Sequence, residues 1–117
     1  MAIIVRNVFQ AKYGRGDELV ALMKEAQEKM GLPFERILTD ASGQFFTVVT
    51  EQEVASLAEW ERMLPKLFAD KRFGAWFQKM SALVDGGRRE FYNVVPVSTR
   101  STGAARPAPR GGSTTRR

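Results

Sequence analysis

Residues 2–12, AIIVRNVFQAK, read as a β-strand in which both faces carry apolar side chains. The side chains alternate between two faces, which carry Ile3, Val5, Asn7 and Phe9 on one side and Ile4, Arg6, Val8 and Gln10 on the other. A strand with one solvent-facing side usually shows a clean apolar–polar alternation, and neither set here is purely polar. The stretch therefore predicts a central strand that is covered on both sides.

The residues after this strand predict a helix. Gly14-Arg15-Gly16 interrupts the strand, and Asp17 and Glu18 supply the negative charge favoured at a helix N-terminus. Apolar residues then recur at helical spacing as far as Met30. Gly31 is placed to end the helix in a left-handed conformation.

The second half of the domain repeats this alternation of strands and helix. Residues 34–39 and 44–51 read as the two strands of a hairpin, and residues 40–43, DASG, form its turn. Ser56 begins a capping box, Pro65 predicts a kink or break in the helix that follows, and Asp70 predicts the cap of a new helix. Gly86-Gly87 predicts the end of that helix, and residues 88–95 read as the last strand.

The resulting order, strand–helix–strand–strand–helix–strand, predicts an α+β fold. It is the order of a ferredoxin-like βαββαβ sandwich with a four-stranded antiparallel sheet, here formed by residues 1–97. Helices of such a sandwich cover only one face of the sheet, whereas three of the four strands look apolar on both faces. We therefore predict a homodimer in which a second copy covers the open face.

The positive charge of the chain is confined to its C-terminal end. The sequence has 18 Lys and Arg against 13 Asp and Glu, a net charge of +5, and residues 98–117 contain five arginines and no acidic residue. This segment has no large apolar side chain after Val97, so we predict a disordered tail. Its scattered arginines, without interleaved aromatic residues, do not predict specific nucleic-acid recognition.

Two absences exclude many kinds of chemistry. The 117-residue sequence contains no Cys and no His. The absence of cysteine excludes disulfides, thiolate nucleophiles and zinc–thiolate sites. The absence of histidine removes the commonest general base and metal ligand. The sequence also has no apolar run long enough to span a bilayer and no signal-peptide pattern. We expect a cytoplasmic protein with no membrane segment, in which any catalysis relies on carboxylates, Tyr, Lys or Arg, on positioned amides or on a borrowed cofactor.

With these elements laid out, the chain resembles the dimeric α/β-barrel superfamily. The resemblance rests on residues 14–19, GRGDEL, and residues 73–91, FGAWFQKMSALVDGGRREF. The superfamily includes antibiotic-biosynthesis monooxygenases, NIPSNAP-like proteins and haem-degrading monooxygenases. The resemblance implies a dimer in which the sheets of the two subunits face each other. It also implies a ligand pocket between each sheet and the helices of the same subunit.

The resemblance also implies site residues. Haem-degrading members have an Asn on the first strand and a Trp on the second helix, which Asn7 and either Trp60 or Trp76 match here. They also hold the haem iron with a histidine, which this chain lacks. The expectation that remains is a cofactor-independent monooxygenase, cyclase or isomerase.

Each candidate on the helix-facing side has a functional and a structural interpretation. Asn7 would polarise a carbonyl or hold dioxygen, or it is a buried amide paired with its neighbours, with Asn93 as one possible partner. Trp60 and Trp76 would line an aromatic pocket, or they belong to the core.

The candidates on the opposite face are Arg6 and Tyr92. Arg6 is expected to pair with Glu90 across the strands, and it is a secondary ligand-binding candidate. The Tyr92 hydroxyl is the titratable group most suited to chemistry inside the dimer barrel. Arg88-Arg89 is either an anion site or a solvated strand entrance.

Two functions follow from these features. In the first, a dimer binds or transforms a small hydrophobic, aromatic metabolite without metal or haem. In the second, a non-enzymatic dimeric scaffold or binding module engages a partner through its basic tail.

Overall fold

The computed structural model of the chain describes residues 2–98, which form four strands and three helices. In chain order these are β1 (Ile3–Ala11), α1 (Gly16–Met30), β2 (Arg36–Thr39), β3 (Thr47–Val54), α2 (Leu57–Ala69), α3 (Lys71–Leu83) and β4 (Val84–Asn93). The α+β, ferredoxin-like fold is therefore confirmed. The predicted tail lies, from residue 99 onward, outside the described residues.

The strands form one antiparallel sheet in the order β2-β3-β1-β4. β1 lies between β3 and β4, as its two apolar faces predict. The register places Asn7 opposite Thr50 on β3 and opposite Arg89 on β4. Because side chains alternate along a strand, these three residues share one face of the sheet.

The helices cover that same face and form the main core with it. α1 buries Leu19, Leu22, Met23 and Ala26 against the sheet. It ends where predicted, at Gly31, which has a φ of 68° and donates its backbone N–H to the carbonyl of Ala26. Complete burial of a leucine such as Leu19 contributes roughly 1.5–3 kcal/mol.

The predicted start of α2 is confirmed, and of the two alternatives predicted at Pro65, a kink or a break, the break is wrong. The Ser56 hydroxyl accepts a hydrogen bond from the Glu59 backbone N–H at 3.1 Å, as in a capping box. The helix then continues through Pro65 to Ala69. Pro65 and Glu61, whose carbonyl loses a partner, are both exposed, so water can hydrogen-bond the freed group.

The break between α2 and α3 occurs at Asp70. Its carboxylate accepts from the Arg72 backbone N–H at 2.9 Å and pairs with the Arg72 guanidinium at 2.8 Å. The predicted cap is thus confirmed. The same Arg72 donates to the Lys29 carbonyl at the end of α1 at 2.7 Å, which ties α3 to α1.

The prediction that Gly86-Gly87 ends the last helix is also wrong. α3 ends at Leu83, and both glycines lie within β4. Gly87 pairs with Phe9, and a Cβ at this position would lie 2.5 Å from the carbonyl oxygen of Val8. The glycine therefore permits β4 to approach β1 closely.

The boundaries of the hairpin strands are shifted towards the C-terminus. β3 spans Thr47–Val54 rather than residues 44–51. Phe46 has a φ of 58°, which is unusual for a residue other than glycine and places it in the turn rather than the strand. Among residues 2–98, no helix is both long and apolar enough to cross a membrane.

Candidate functional site

The candidate site is a cavity of about 610 Å³ between the sheet and helices α2 and α3. Its walls are mainly apolar and aromatic, and include Phe9, Trp60, Met63, Phe73, Trp76 and Met80. The polar and charged residues that line it are Asn7, Gln52, Lys66, Asp70 and Arg89. An apolar cavity with a few convergent polar groups is the usual form of a small-molecule site.

The Asn7 amide is held on both sides by side chains of neighbouring strands. Its Nδ2 donates to Thr50 Oγ1 at 3.2 Å, and its Oδ1 accepts from Arg89 Nε at 2.8 Å. Asn93, the predicted partner, lies opposite Ile3 instead. That prediction is wrong because the antiparallel register brings Arg89, not Asn93, opposite Asn7.

Trp60 joins this cluster through Arg89. The Arg89 guanidinium carbon lies 4.9 Å from the centre of the Trp60 ring, in cation–π range. Phe91 supports the same ring edge-on, with 5.1 Å between centroids. Arg89 therefore connects the predicted residues Asn7 and Trp60. The sequence predicted Arg89 only as part of an anion site or a solvated strand entrance.

Trp76 is both a core residue and a wall of the cavity. It is buried, and its indole Nε1 donates to the Leu22 carbonyl on α1 at 2.9 Å. Its ring stacks on Phe73 with 5.7 Å between centroids. The hydrogen bond fixes the indole, so Trp76 forms a rigid wall.

Gln52 is a site residue that the sequence analysis did not identify. It lies on β3, lines the cavity and is only 7% exposed. No hydrogen bond joins its side-chain amide to another residue within 2–98. Thr50, two positions earlier, is fully buried as well, but its hydroxyl accepts from Asn7. The signal that could have revealed Gln52 is a large polar residue that continues the alternation of buried positions along β3.

Arg6 and Tyr92 lie on the opposite face of the sheet, away from the cavity. The expected ion pair of Arg6 and Glu90 is present at 3.9 Å, and Arg6 also lies 3.7 Å from Glu51. Tyr92 donates its hydroxyl to Glu90 at 2.9 Å. This hydrogen bond, with a smaller effect of burial, raises the pKa of Tyr92 above its ordinary value, which makes the hydroxyl a poorer proton donor.

The ion pairs on the open face continue into a row that crosses the sheet. Arg36 on β2 pairs with Glu51 at 3.0 Å, and Arg88 on β4 pairs with Glu90 at 2.7 Å. With Arg6 on β1 between the two carboxylates, the charges alternate in sign. The open face is therefore more charged than the predicted apolar surface.

Residues 2–98 contain no group of three or more Cys, His, Asp or Glu side chains placed to hold a metal ion. The one carboxylate that lines the cavity, Asp70, is bound to Arg72. That salt bridge and its hydrogen bonds lower the pKa of Asp70. The cavity wall thus presents amide and guanidinium groups.

Solved structures show what this chain is similar to. A NIPSNAP family protein from Agrobacterium tumefaciens superposes with a TM-score of 0.73 at 19% identity, over 83% of this chain and 89% of that one. SnoaB, a cofactor-independent oxygenase from Streptomyces nogalater, gives 0.59 at 14% identity, over 82% and 95%. An antibiotic biosynthesis monooxygenase gives 0.59 at 18% identity, over 82% and 100%.

The chain has the fold of these proteins. NIPSNAP and antibiotic-biosynthesis monooxygenase structures belong to the groups that the sequence resembles, so the predicted fold is confirmed. No protein-family model matches the sequence, and no curated protein matches it significantly. In this chain the cavity lies between the sheet and its own helices.

Proposed function

We propose that the protein binds a small, mainly apolar aromatic molecule in the cavity between the sheet and helices α2 and α3. The observation that carries this proposal is the cluster of Asn7, Arg89 and Trp60 at the wall of an otherwise apolar cavity. Trp60 offers an aromatic surface, and Arg89 and Asn7 offer hydrogen bonds that fix the orientation of a ligand. Apolar walls supply affinity and a few polar groups supply specificity.

A reaction on this ligand would be of the cofactor-independent kind. The cavity does not fit haem, because histidine, the ligand of the haem-degrading members, is missing from the sequence. Among the described residues the cavity also holds no free carboxylate to act as a base. The Arg89 guanidinium, fixed by Asn7, can stabilise negative charge on an oxygen of the ligand. The site therefore suits a monooxygenase, cyclase or isomerase whose substrate ionises readily.

We also propose that the protein is a homodimer in which the open faces of two sheets meet. The charges of Arg36, Glu51, Arg6, Glu90 and Arg88 alternate in sign, so the rows of two copies can pair when they are offset by one position and Arg6 of each copy faces Glu90 of the other.

Native mass spectrometry of the freshly purified protein tests both proposals. A dimer that carries a reproducible extra mass of a small molecule supports both, and denaturation would release that molecule for identification. A stable monomer at micromolar concentration contradicts the dimer.

Isothermal titration calorimetry with the neutral aromatic compound 2-naphthylmethanol tests the site directly. Replacing Trp60 by alanine should weaken binding at least tenfold, because an aromatic contact surface is lost. Tyr13→Ala is the matched control, since Tyr13 is 80% exposed and does not line the cavity. Equal binding by both variants would contradict the proposed site.

A further inference from the structure

The charges around the cavity are not balanced within the described residues. Arg89 and Lys66 line it, and neither forms an ion pair with any residue of 2–98. The third charged residue, Asp70, is already paired with Arg72 at 2.8 Å. The cavity thus has an excess of positive charge, which favours an anionic ligand.

The geometry of Arg89 narrows the kind of anion. Its Nε donates to Asn7 at 2.8 Å, and the guanidinium lies over Trp60. These two contacts fix the plane of the guanidinium, while its two terminal nitrogens have no hydrogen-bond partner among residues 2–98. A pair of parallel N–H donors in one plane matches the two oxygens of a carboxylate.

Gln52 indicates a second polar group on the same ligand. The Gln52 side chain is mostly buried and its amide has no protein partner among residues 2–98, but the amide atoms are not enclosed and so retain contact with water. Gln52 lines the cavity, so a ligand can supply the missing hydrogen bond. A hydroxyl or carbonyl group would do so.

The register of the sheet sets the distance between these two groups. Gln52 pairs with Val5 on one side of β1, whereas Arg89 pairs with Asn7 on the other side. Two strand spacings and two residues along the strand separate their Cα atoms by roughly 12 Å. Arg89 and Gln52 therefore approach the cavity from opposite sides of β1, and a ligand that binds both carries its carboxylate and its second polar group on different parts of its ring system.

We propose that the ligand is an elongated aromatic carboxylate. Its carboxylate binds the terminal nitrogens of Arg89, its ring system lies against Trp60, and a hydroxyl or carbonyl at the far end binds the Gln52 amide. This inference rests on the proposed function, because it names the class of molecule that the same cavity takes.

The role of Arg89 is tested with two compounds of the same ring system, 2-naphthoate and 2-naphthylmethanol, titrated calorimetrically at fixed pH and salt. The intact protein should bind the carboxylate about tenfold to a hundredfold more tightly, the usual effect of a hydrogen-bonded charge pair. Arg89→Gln should remove this preference while still binding the alcohol. Arg88→Gln is the matched control, because Arg88 lies on the opposite face and pairs with Glu90.

The outcomes separate this inference from the proposed function. If neither compound binds, the proposed function itself fails. If the alcohol binds but the carboxylate has no advantage, or if the advantage persists in Arg89→Gln, the proposed function stands and the carboxylate site is overturned.

The role of Gln52 is tested with 6-hydroxy-2-naphthoate, which carries a hydroxyl at the far end of the ring system. This hydroxyl should strengthen binding several-fold over 2-naphthoate in the intact protein. Gln52→Met keeps the length of the side chain but removes the amide, so the advantage should vanish while 2-naphthoate still binds. A hydroxyl that gives no advantage in the intact protein, or the same advantage in the variant, overturns the assignment of Gln52.

Discussion

Replacing Gln52 by methionine should make the protein more stable, although it should weaken ligand binding. Gln52 is 7% exposed, and its amide has no hydrogen-bond partner among residues 2–98. Complete burial of an unpaired amide costs about 1–3 kcal/mol, but the Gln52 amide retains contact with water, so its cost is at most about 1 kcal/mol. Methionine has a similar length and adapts to irregular space, so it removes the cost with little change in volume.

The expected gain in the free energy of unfolding is at most about 1 kcal/mol. For a domain of this size, each kcal/mol corresponds to about 4–8 °C in Tm, so the shift is readily measured. Urea and thermal unfolding followed by circular dichroism provide the assay. Protein concentration must be held constant, because the stability of a dimer depends on it.

Thr50→Val is the matched comparison, since Thr50 lies two residues away on the same face of β3. Its hydroxyl accepts the hydrogen bond of Asn7 Nδ2 at 3.2 Å, so the same change from polar to apolar should destabilise the protein by about 1 kcal/mol. The two substitutions therefore have opposite signs. A Gln52→Met variant that is less stable by 1 kcal/mol or more would show that the amide is paired, and the reasoning would be refuted.

Two further predictions follow from β4. Gly87→Ala should destabilise the protein by about 1–3 kcal/mol in urea unfolding, because the new Cβ would lie 2.5 Å from the Val8 carbonyl oxygen. Gly86→Ala, whose Cβ would meet nothing within 4 Å, should cost less. Equal effects of the two substitutions would contradict the close approach of β4 to β1. The hydrogen bond from Arg88, with a smaller effect of Tyr92, lowers the pKa of Glu90 below its ordinary value of 4.5. The ionised Glu90 therefore stabilises the folded state above that value, and this stabilisation is lost as the pH falls through the folded-state pKa. Glu90→Gln should therefore flatten the loss of stability on acidification below about pH 4.5, and an unchanged acid profile would contradict this assignment.

The fold could be predicted from the sequence because its elements carry independent local signals. The apolar side chains on both faces of residues 2–12 identified the central strand, and Gly31, Ser56 and Asp70 marked helix ends through their own chemistry. The errors arose where a local signal has a non-local cause. Gly87 resembles a helix stop in sequence, but its role depends on a backbone contact with a strand about 80 residues earlier.

The candidate site was predicted only in part, for the same reason. Asn7, Trp60 and Trp76 were placed on the helix-facing side, and the structure brings all three to one cavity. Gln52 was missed because the predicted strand ended at residue 51, one position too early for its alternation to be recognised. Arg89 was given no definite role because its neighbours Asn7 and Trp60 are distant in the sequence.

The register of β4 explains why two consecutive arginines have different chemical roles. Side chains alternate along a strand, so Arg88 faces the open side of the sheet, where Glu90 neutralises it at 2.7 Å. Arg89 faces the helices, where Asn7 and Trp60 orient its charge without neutralising it. Glu90 cannot serve both arginines, because it lies on the face of Arg88. The positive charge in the cavity therefore follows from the same strand pairing that builds the row of ion pairs on the open face, and it is the charge that the proposed anionic ligand would neutralise.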